Sequence, residues 1–201
     1  MNLPNLFTLS RIPLMFLIVA MMYGEWVGAA TIAFVAFVVA GVTDFLDGYY
    51  ARRQNIVTNF GILMDAVADK VLMLGIMIAL VDVNGLPLPD PVPAFLVLLI
   101  LGREFLITGV RLVAATKGVV VSAEKAGKQK TVTQILAVGA LLLAPVSRVD
   151  LAAWSGMETA ALTRVFEYGG LVLFLLATLF TLTSGTKYFR KYGPLVFAAD
   201  D

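Results

Sequence analysis

The sequence predicts an all-α integral membrane protein with six transmembrane helices and both termini in the cytoplasm. Hydrophobic residues make up 60% of the 201 residues and charged residues only 14%. The mean hydropathy of +0.90 is far above what one soluble core requires. Apolar segments also recur at close to the roughly 20 residues that cross a bilayer, separated by short loops with turn residues. Residues 1–201 are therefore predicted to form a single membrane domain.

The six predicted spans are approximate in their bounds and lie at 6–23, 27–47, 60–82, 92–114, 128–146 and 162–184. The breaks between them include GEW, NGLPLPDP, ATKGVVVSAEKAGK and PVSRVDLAAWSGME, which are rich in turn-forming or polar residues. The first segment also has the length of a signal peptide. Because the rest of the chain is equally hydrophobic, a retained first span is the simpler interpretation.

Basic residues set the orientation of the spans, because loops on the cytoplasmic side carry an excess of Lys and Arg. One set of loops and helix ends holds Arg11, Arg52, Arg53, Lys117, Lys125, Lys128, Lys130, Lys187, Arg190 and Lys191. The opposite loops hold two basic residues among several acids: Arg148 and Arg164 with Glu25, Asp82, Asp90, Asp150 and Glu158. The first set is predicted to face the cytoplasm.

The absence of cysteine and histidine limits the chemistry. It excludes thiol nucleophiles, disulfides, imidazole bases and zinc sites built from nitrogen and sulfur ligands. Any reaction must use carboxylates, amines, guanidinium groups or hydroxyls.

Four aspartates interrupt the apolar pattern within TDFLDGYYARRQNIVTNFGILMDAVADK at 43–70. Asp44 and Asp47 are three residues apart and Asp65 and Asp69 are four apart, so each pair lies on one face of its helix. An unpaired Asp at membrane depth costs about 3 kcal/mol, so positive charge must lie among them. Carboxylate oxygens favour Mg²⁺ or Mn²⁺, and four of these groups balance two such ions. Two-metal sites are typical of phosphoryl chemistry.

Two other interpretations of the aspartates stay open. They could form salt bridges with Arg52, Arg53 and Lys70 at the membrane surface, although four intramembrane acids at helix-face spacing favour a functional site. They could also carry protons or cations in a transporter. Their position at one interface argues against this, since transport sites usually lie near the midplane.

As a pattern, the segment reads D-x-x-D-G-x-x-A-R-x8-G-x-x-x-D-x-x-x-D and resembles the signature of the CDP-alcohol phosphatidyltransferase family. The six-helix topology is similar to that family too. NLPNLFTLSR at the N-terminus, REFLITGVR in span four and GKQKT in span five resemble the bacterial branch whose acceptor is glycerol 3-phosphate. The matched signature positions are Asp44, Asp47, Gly48, Ala51, Arg52, Gly61, Asp65 and Asp69.

The resemblance implies transfer of a phosphatidyl group from CDP-diacylglycerol to sn-glycerol 3-phosphate, with release of CMP. It implies two Mg²⁺ or Mn²⁺ ions held by Asp44, Asp47 and Asp65, with Asp69 sharing a metal contact and acting as general base. Spacing alone does not choose Asp69 over Asp65. The resemblance further implies a bacterial inner membrane location with the site facing the cytoplasm, membrane lipids and a second copy of the chain as partners, and no nucleic acid.

The nucleotide and the acceptor phosphate need further contacts. The nucleotide is expected at Thr43, Gly48, Ala51, Arg52, Gly61, Asn5 and Thr8. The acceptor phosphate is expected at Arg103, Arg111, Lys128, Lys130 and Arg11. Alternatives exist here as well. Asn5, Thr8 and Arg11 could instead serve helix capping and snorkelling at the interface. Arg103 could pair with Glu104, and the lysines could mark topology or contact anionic lipids.

Overall fold

The computed structural model describes the backbone of residues 3–54, 59–116 and 125–197, and the side chains at 9–44, 64, 67–116 and 129–193. All regular structure in this part of the chain is helical, with no strand, which confirms the predicted all-α class. Two helical stretches, Gln129–Ser155 and Ala160–Gly193, are long and apolar enough to cross a membrane. Leu9–Met22 and Ala29–Asp44 are shorter apolar helices.

The helices follow the predicted apolar segments closely. They are α1 (Leu3–Met22), α2 (Ala29–Gln54), α3 (Asn59–Asp82), α4 (Val92–Thr116), α5 (Lys125–Pro145), a π-helical segment (Val146–Leu151), the single turn α6 (Ala152–Ser155) and α7 (Ala160–Phe197). The largest difference in length is α7, whose 38 residues continue well past the predicted end at 184.

The predicted break PVSRVDLAAWSGME is wrong over most of its length. Helical structure continues through the π-helical segment and α6, and it stops at Gly156, which has a left-handed φ of 65°. Pro145 has no N–H to donate to the preceding turn, and a wide π turn follows it. Asp150, predicted to lie in an outer loop, is instead fully buried because its carboxylate binds the start of α2.

One compact unit comprises residues 1–87 and 138–169. Within it α1 packs against α2 and α3, and the π-helical segment packs against α2. Its core contains Ile18, Ala33, Ala40, Ile76, Leu80 and Leu141, each at most 2% exposed. Gly75 on α3 allows α1 to approach closely, since a Cβ there would come within 2.8 Å of Met15 Cγ. This unit carries α2 and α3, and with them the aspartate signature.

The second compact unit comprises residues 88–137 and 170–201. Its described core includes Val97, Ile100, Phe174 and Ala177. Polar side chains also lie inside it, including Lys130, Thr181 and Ser184. This unit carries the predicted cations of α4 and α5.

Large apolar side chains remain exposed along the described helices. Examples are Phe16 at 64%, Phe95 at 62%, Leu112 at 69% and Val165 at 65% exposed. Soluble monomers rarely expose contiguous apolar surface on this scale. Such surfaces suit contact with lipid.

Candidate functional site

The aspartate signature occupies the C-terminal turns of α2 and the N-terminal turns of α3. Asp44 and Asp47 lie on α2, and Asp65 and Asp69 lie on α3. The spacings of three and four residues therefore fall on helical backbone, so each pair shares a helix face. Both helices belong to the same compact unit.

Asp44 is held by a buried arginine from α1. Arg11 is only 1% exposed, and its Nη2 lies 2.8 Å from Asp44 Oδ1. The Asp44 side chain itself is 52% exposed. A guanidinium removed from water requires a paired acceptor, so this contact fixes both groups. Sequence reasoning placed Arg11 near nucleotide or acceptor phosphate, and the structure shows it bonded to a predicted metal ligand.

Asp69 of the signature and the neighbouring Thr43 also have described side chains. Asp69 is exposed and can be reached from solvent. Thr43 is half-buried, and its hydroxyl donates to the carbonyl of Ala40 at 2.9 Å. That hydroxyl can therefore only accept a hydrogen bond from a ligand.

The remaining predicted ligands of the metal, the nucleotide and the acceptor lie outside the described side chains. Their backbone is helical, at positions on α1, α2, α3 and α5. They are Asp47, Asp65, Gly48, Ala51, Arg52, Gly61, Asn5, Thr8 and Lys128.

In the second unit, one carboxylate binds two of the predicted phosphate-binding cations. Arg103 Nη1 donates to Glu104 Oε1 at 2.8 Å, and Lys130 Nζ donates to the same oxygen. Arg103 Nη2 also donates to Ser184 Oγ at 2.9 Å. The pairing of Arg103 with Glu104 that the sequence left open is thus present. The formal charges of Arg103, Lys130 and Glu104 sum to +1.

Arg103 also retains an unused donor. Its side chain is 12% exposed, and its Nε is buried without a hydrogen-bond partner in the described part of the chain. Gly185 on α7 makes room for it, since a Cβ there would lie 2.9 Å from Arg103 Cγ. A buried N–H without an acceptor costs about 1–3 kcal/mol, so this group favours a ligand oxygen beside it.

Arg111, two turns further along α4, is held by an aromatic residue of α7. Its Nη2 donates to Tyr188 Oη at 2.9 Å, and its guanidinium lies 5.3 Å from the centre of the same ring. Tyr188 is buried at 3% exposed, whereas Arg111 is exposed. Both contacts hold the guanidinium group of Arg111, and the residue remains exposed to a ligand.

Comparison with known proteins identifies the family. The family model for CDP-alcohol phosphatidyltransferases matches residues 1–182. The chain belongs to the CDP-alcohol phosphatidyltransferase family. The resemblance predicted from the aspartate signature is therefore confirmed.

Individual relatives agree with this assignment. A CDP-diacylglycerol–glycerol-3-phosphate 3-phosphatidyltransferase of Bacillus subtilis is 40% identical over 204 residues, covering 94% of each chain. One of the same name from Rickettsia typhi is 34% identical over 94% of this chain and 96% of its own. A CMP-forming cardiolipin synthase of Oryza sativa is 32% identical over 88% of this chain and 55% of its own.

The donor set of this phosphatidyltransferase fits a hard divalent cation. The signature offers four carboxylates and no softer ligand, and the chain has no cysteine or histidine elsewhere. Asp44 and Asp69, the two whose side chains are described, are both exposed and accessible to an ion. The described residues contain no group of three acids, but the side chains of Asp47 and Asp65 lie outside them.

Sequence reasoning missed three residues that organise the cationic groups. Glu104 entered only as an alternative partner of Arg103, and Ser184 and Tyr188 did not enter at all. Glu104 could have been found because a carboxylate beside Arg103 within a predicted span requires a cation of its own. Nothing local identifies Ser184 or Tyr188, since both act across more than 70 residues of sequence.

Proposed function

We propose that this family member transfers the phosphatidyl group of CDP-diacylglycerol to sn-glycerol 3-phosphate, giving phosphatidylglycerophosphate and CMP. The observation that carries the proposal is the eight-position signature on α2 and α3 of a chain that matches relatives of that activity along nearly their full length. The product belongs to anionic phospholipid biosynthesis. A member with a different acceptor, such as inositol phosphate or serine, remains the nearest alternative, and a cation-coupled or proton-coupled transporter is a more distant one.

The proposed reaction takes place at a bacterial inner membrane. The six proposed spans rest on the lengths of the apolar segments, and the cytoplasmic position of the termini and the signature rests on the distribution of Lys and Arg. Exposed apolar side chains such as Phe95 and Leu112 support contact with lipid. We expect a homodimer in this membrane.

Asp44, Asp47, Asp65 and Asp69 would hold two Mg²⁺ or Mn²⁺ ions. When bound, these ions stabilise negative charge on the pyrophosphate and on the departing CMP. Arg11 keeps the Asp44 carboxylate in place from its buried side. Thr43, Gly48 and Arg52 are the proposed nucleotide contacts close to Asp44, with Ala51, Gly61, Asn5 and Thr8.

Asp69 is the proposed general base. Its exposed carboxylate accepts the proton of the primary hydroxyl while that oxygen forms a bond to the phosphorus of the phosphatidyl group. The bond between this phosphorus and the bridging oxygen breaks, and CMP leaves with that oxygen. No histidine exists in the chain to take the proton instead.

The acceptor phosphate is proposed to bind the cations of the second unit. Arg103 and Lys130 share Glu104 and retain a net positive charge, and the buried Nε of Arg103 has a donor to offer. Arg111 presents a guanidinium fixed by Tyr188. Lys128 completes the proposed set in this unit, whereas Arg11, which the sequence grouped with these cations, lies in the first unit on Asp44.

A reconstitution assay tests the enzyme proposal. Purified protein in detergent is given CDP-diacylglycerol, labelled glycerol 3-phosphate and Mg²⁺ or Mn²⁺, and CMP and labelled lipid are measured. We expect both products, and none after chelation of the metal. If product forms only with another alcohol, that alcohol is the acceptor and glycerol 3-phosphate is not. Ion flux in proteoliposomes without CMP release would refute the enzyme and favour the transporter.

The base assignment needs a matched variant. Asp69→Asn is expected to lower kcat by at least about a hundredfold, because general bases contribute at that scale. Asp82→Asn lies at the other end of α3, bonded to Tyr23, and should keep normal turnover. Normal turnover by Asp69→Asn would show that another group takes the proton.

A further inference from the structure

The first compact unit contains a cavity of about 540 Å³ far from the aspartate signature. It is bordered by the last turn of α1, the first turns of α2, the last turn of α3, the end of α5 and the π-helical segment. Asp44 lies 11 residues along α2 from Ala33 of the cavity wall, which is about 16 Å at 1.5 Å per residue. Asp69 is 11 residues from Leu80, or about 16 Å. The cavity is therefore separate from the proposed catalytic centre.

Part of the cavity wall is apolar. Met21, Met22, Val83 and Pro145 line this part, and each is half-buried, so it presents apolar surface to the cavity. Water gains few hydrogen bonds against such a wall, whereas an alkyl chain fits it. The volume lies within the range of about 300–1,000 Å³ typical of small-ligand sites.

The mouth of the cavity is polar and aromatic. Tyr23 and Trp26 are about half exposed there, at 51% and 52%. An apolar interior with an aromatic and charged rim suits an amphiphile whose head remains at the surface.

The charges at the mouth select the kind of head group. Three acids and one base line the cavity, a formal charge of −2. Asp150 is already used by three hydrogen bonds, and Glu167 lies 3.4 Å from Arg148. Glu25 is exposed, and none of the ion pairs among the described residues includes it. The carboxylate of Glu25 is therefore the one that remains to bind a cation.

Aromatic and acidic groups beside Glu25 also favour binding of a cation at the mouth of the cavity. Tyr23 Oη donates to Asp82 Oδ2 at 2.8 Å, which brings a second carboxylate to the rim. The faces of Trp26 and Tyr23 attract ammonium groups. Arg148 contacts Glu167 through Nη1 at 3.4 Å, and its 63% exposed side chain has further N–H donors for a phosphate.

From these features we infer that the cavity binds a membrane lipid with a zwitterionic head group. Its ammonium lies against Glu25 and the aromatic rim, its phosphate lies against Arg148, and part of an acyl chain fills the apolar interior. Such a site is a second lipid site on the enzyme, at the end of the first unit opposite to the signature. It uses no residue of the proposed chemistry.

Tryptophan fluorescence provides the test, because the chain has only two tryptophans. Both indoles border Gly28, so Trp154→Phe leaves Trp26 at the mouth as the only reporter. The purified variant, without CDP-diacylglycerol, is titrated with phosphatidylethanolamine or phosphatidylglycerol brominated near the carbonyl end of the acyl chains. We expect saturable quenching by the zwitterionic lipid, reversed by its unbrominated form, and weaker quenching by the anionic one.

Charge variants decide whether the cavity is responsible. In the Trp154→Phe background, Glu25→Gln and Arg148→Gln should each weaken binding of the zwitterionic lipid by about tenfold, as expected for loss of one charge-assisted contact. Glu158→Gln and Arg164→Gln are matched controls on the same side of the unit, outside the cavity wall, and should bind normally. Equal quenching by both lipids, preference for the anionic lipid, or no effect of the two cavity variants would overturn the inference. Each outcome is independent of transferase activity.

Discussion

Asp150→Ala should destabilise the protein more than any other change to an acid on the side opposite the signature. Asp150 is fully buried in the π-helical segment. Its Oδ1 accepts the N–H of Gly28 at 2.7 Å, and its Oδ2 accepts the N–H and the hydroxyl of Thr31 at 2.7 and 2.6 Å. The carboxylate thus caps α2 from a segment about 120 residues away along the chain.

The magnitude follows from the groups left without an acceptor. Loss of an N-terminal cap costs about 0.5–2 kcal/mol. Each buried donor left unpaired costs about 1–3 kcal/mol, and the negative charge at the positive end of α2 contributes up to about 2 kcal/mol more. These contributions overlap, so we expect a total of about 4 kcal/mol. For a chain of this size, that corresponds to a fall in Tm on the order of 10 °C.

Thermal unfolding in detergent, followed by tryptophan fluorescence, measures this effect. Asp150→Asn should lower Tm by about half as much as Asp150→Ala. The remaining carbonyl oxygen of the side chain still accepts a hydrogen bond, but its NH₂ group faces a donor. Glu158→Ala is the control, since this acid is exposed between α6 and α7. Turnover of the folded Asp150→Ala protein should be nearly normal, because the residue lies away from the signature. A Tm for Asp150→Ala within about 1 °C of the control would refute the reasoning.

Three further outcomes are expected. Gly75→Leu should lower Tm, because over-packing against α1 costs about 1–3 kcal/mol, whereas Gly169→Leu, at a position where a Cβ would meet nothing within 4 Å, should not. Glu104→Gln should raise the acceptor KM several-fold with little change in the CDP-diacylglycerol KM, because Arg103 and Lys130 lose the shared carboxylate that holds them in position. Equal changes in the two KM values would contradict this. Tyr188→Phe should raise the acceptor KM about two- to fivefold through loss of one hydrogen bond to Arg111, with exposed Tyr168→Phe as the control in the same steady-state assay, and an unchanged KM would remove Arg111 from the acceptor site.

Hydropathy predicted the helices well because apolar runs and turn residues are local signals. It marks where an apolar stretch ends, however, and this differs from where a helix ends. Lys187, Arg190 and Lys191 end the hydrophobic run of α7, but all three are good helix formers, and the helix continues to Phe197. The π-helical segment was misread for a related reason. Its polar residues indicated a loop, and only the contact with α2 shows why Asp150 is buried.

For the candidate site, too, the sequence predicted local features but not tertiary contacts. Spacing placed the aspartates on helix faces, because three and four residues are one helical turn. The cost of an intramembrane charge predicted that each would have a partner. It could not name the partner. Arg11 is 33 residues from Asp44, and Lys130 is 26 residues from Glu104, so both pairs depend on tertiary packing.

Arg11 also changes the choice that the sequence posed between salt bridges and metal. A carboxylate has about four lone-pair positions, so Asp44 can accept a guanidinium and still bind an ion. The four signature carboxylates with Arg11 carry a formal charge of −3, against −4 for the aspartates alone. In the proposed enzyme, two divalent ions would then leave the centre at +1. A centre with net positive charge attracts the pyrophosphate of CDP-diacylglycerol, whereas one balanced to zero would not. Arg11→Met should therefore raise the KM for CDP-diacylglycerol as well as release Asp44, and an unchanged KM would limit Arg11 to packing.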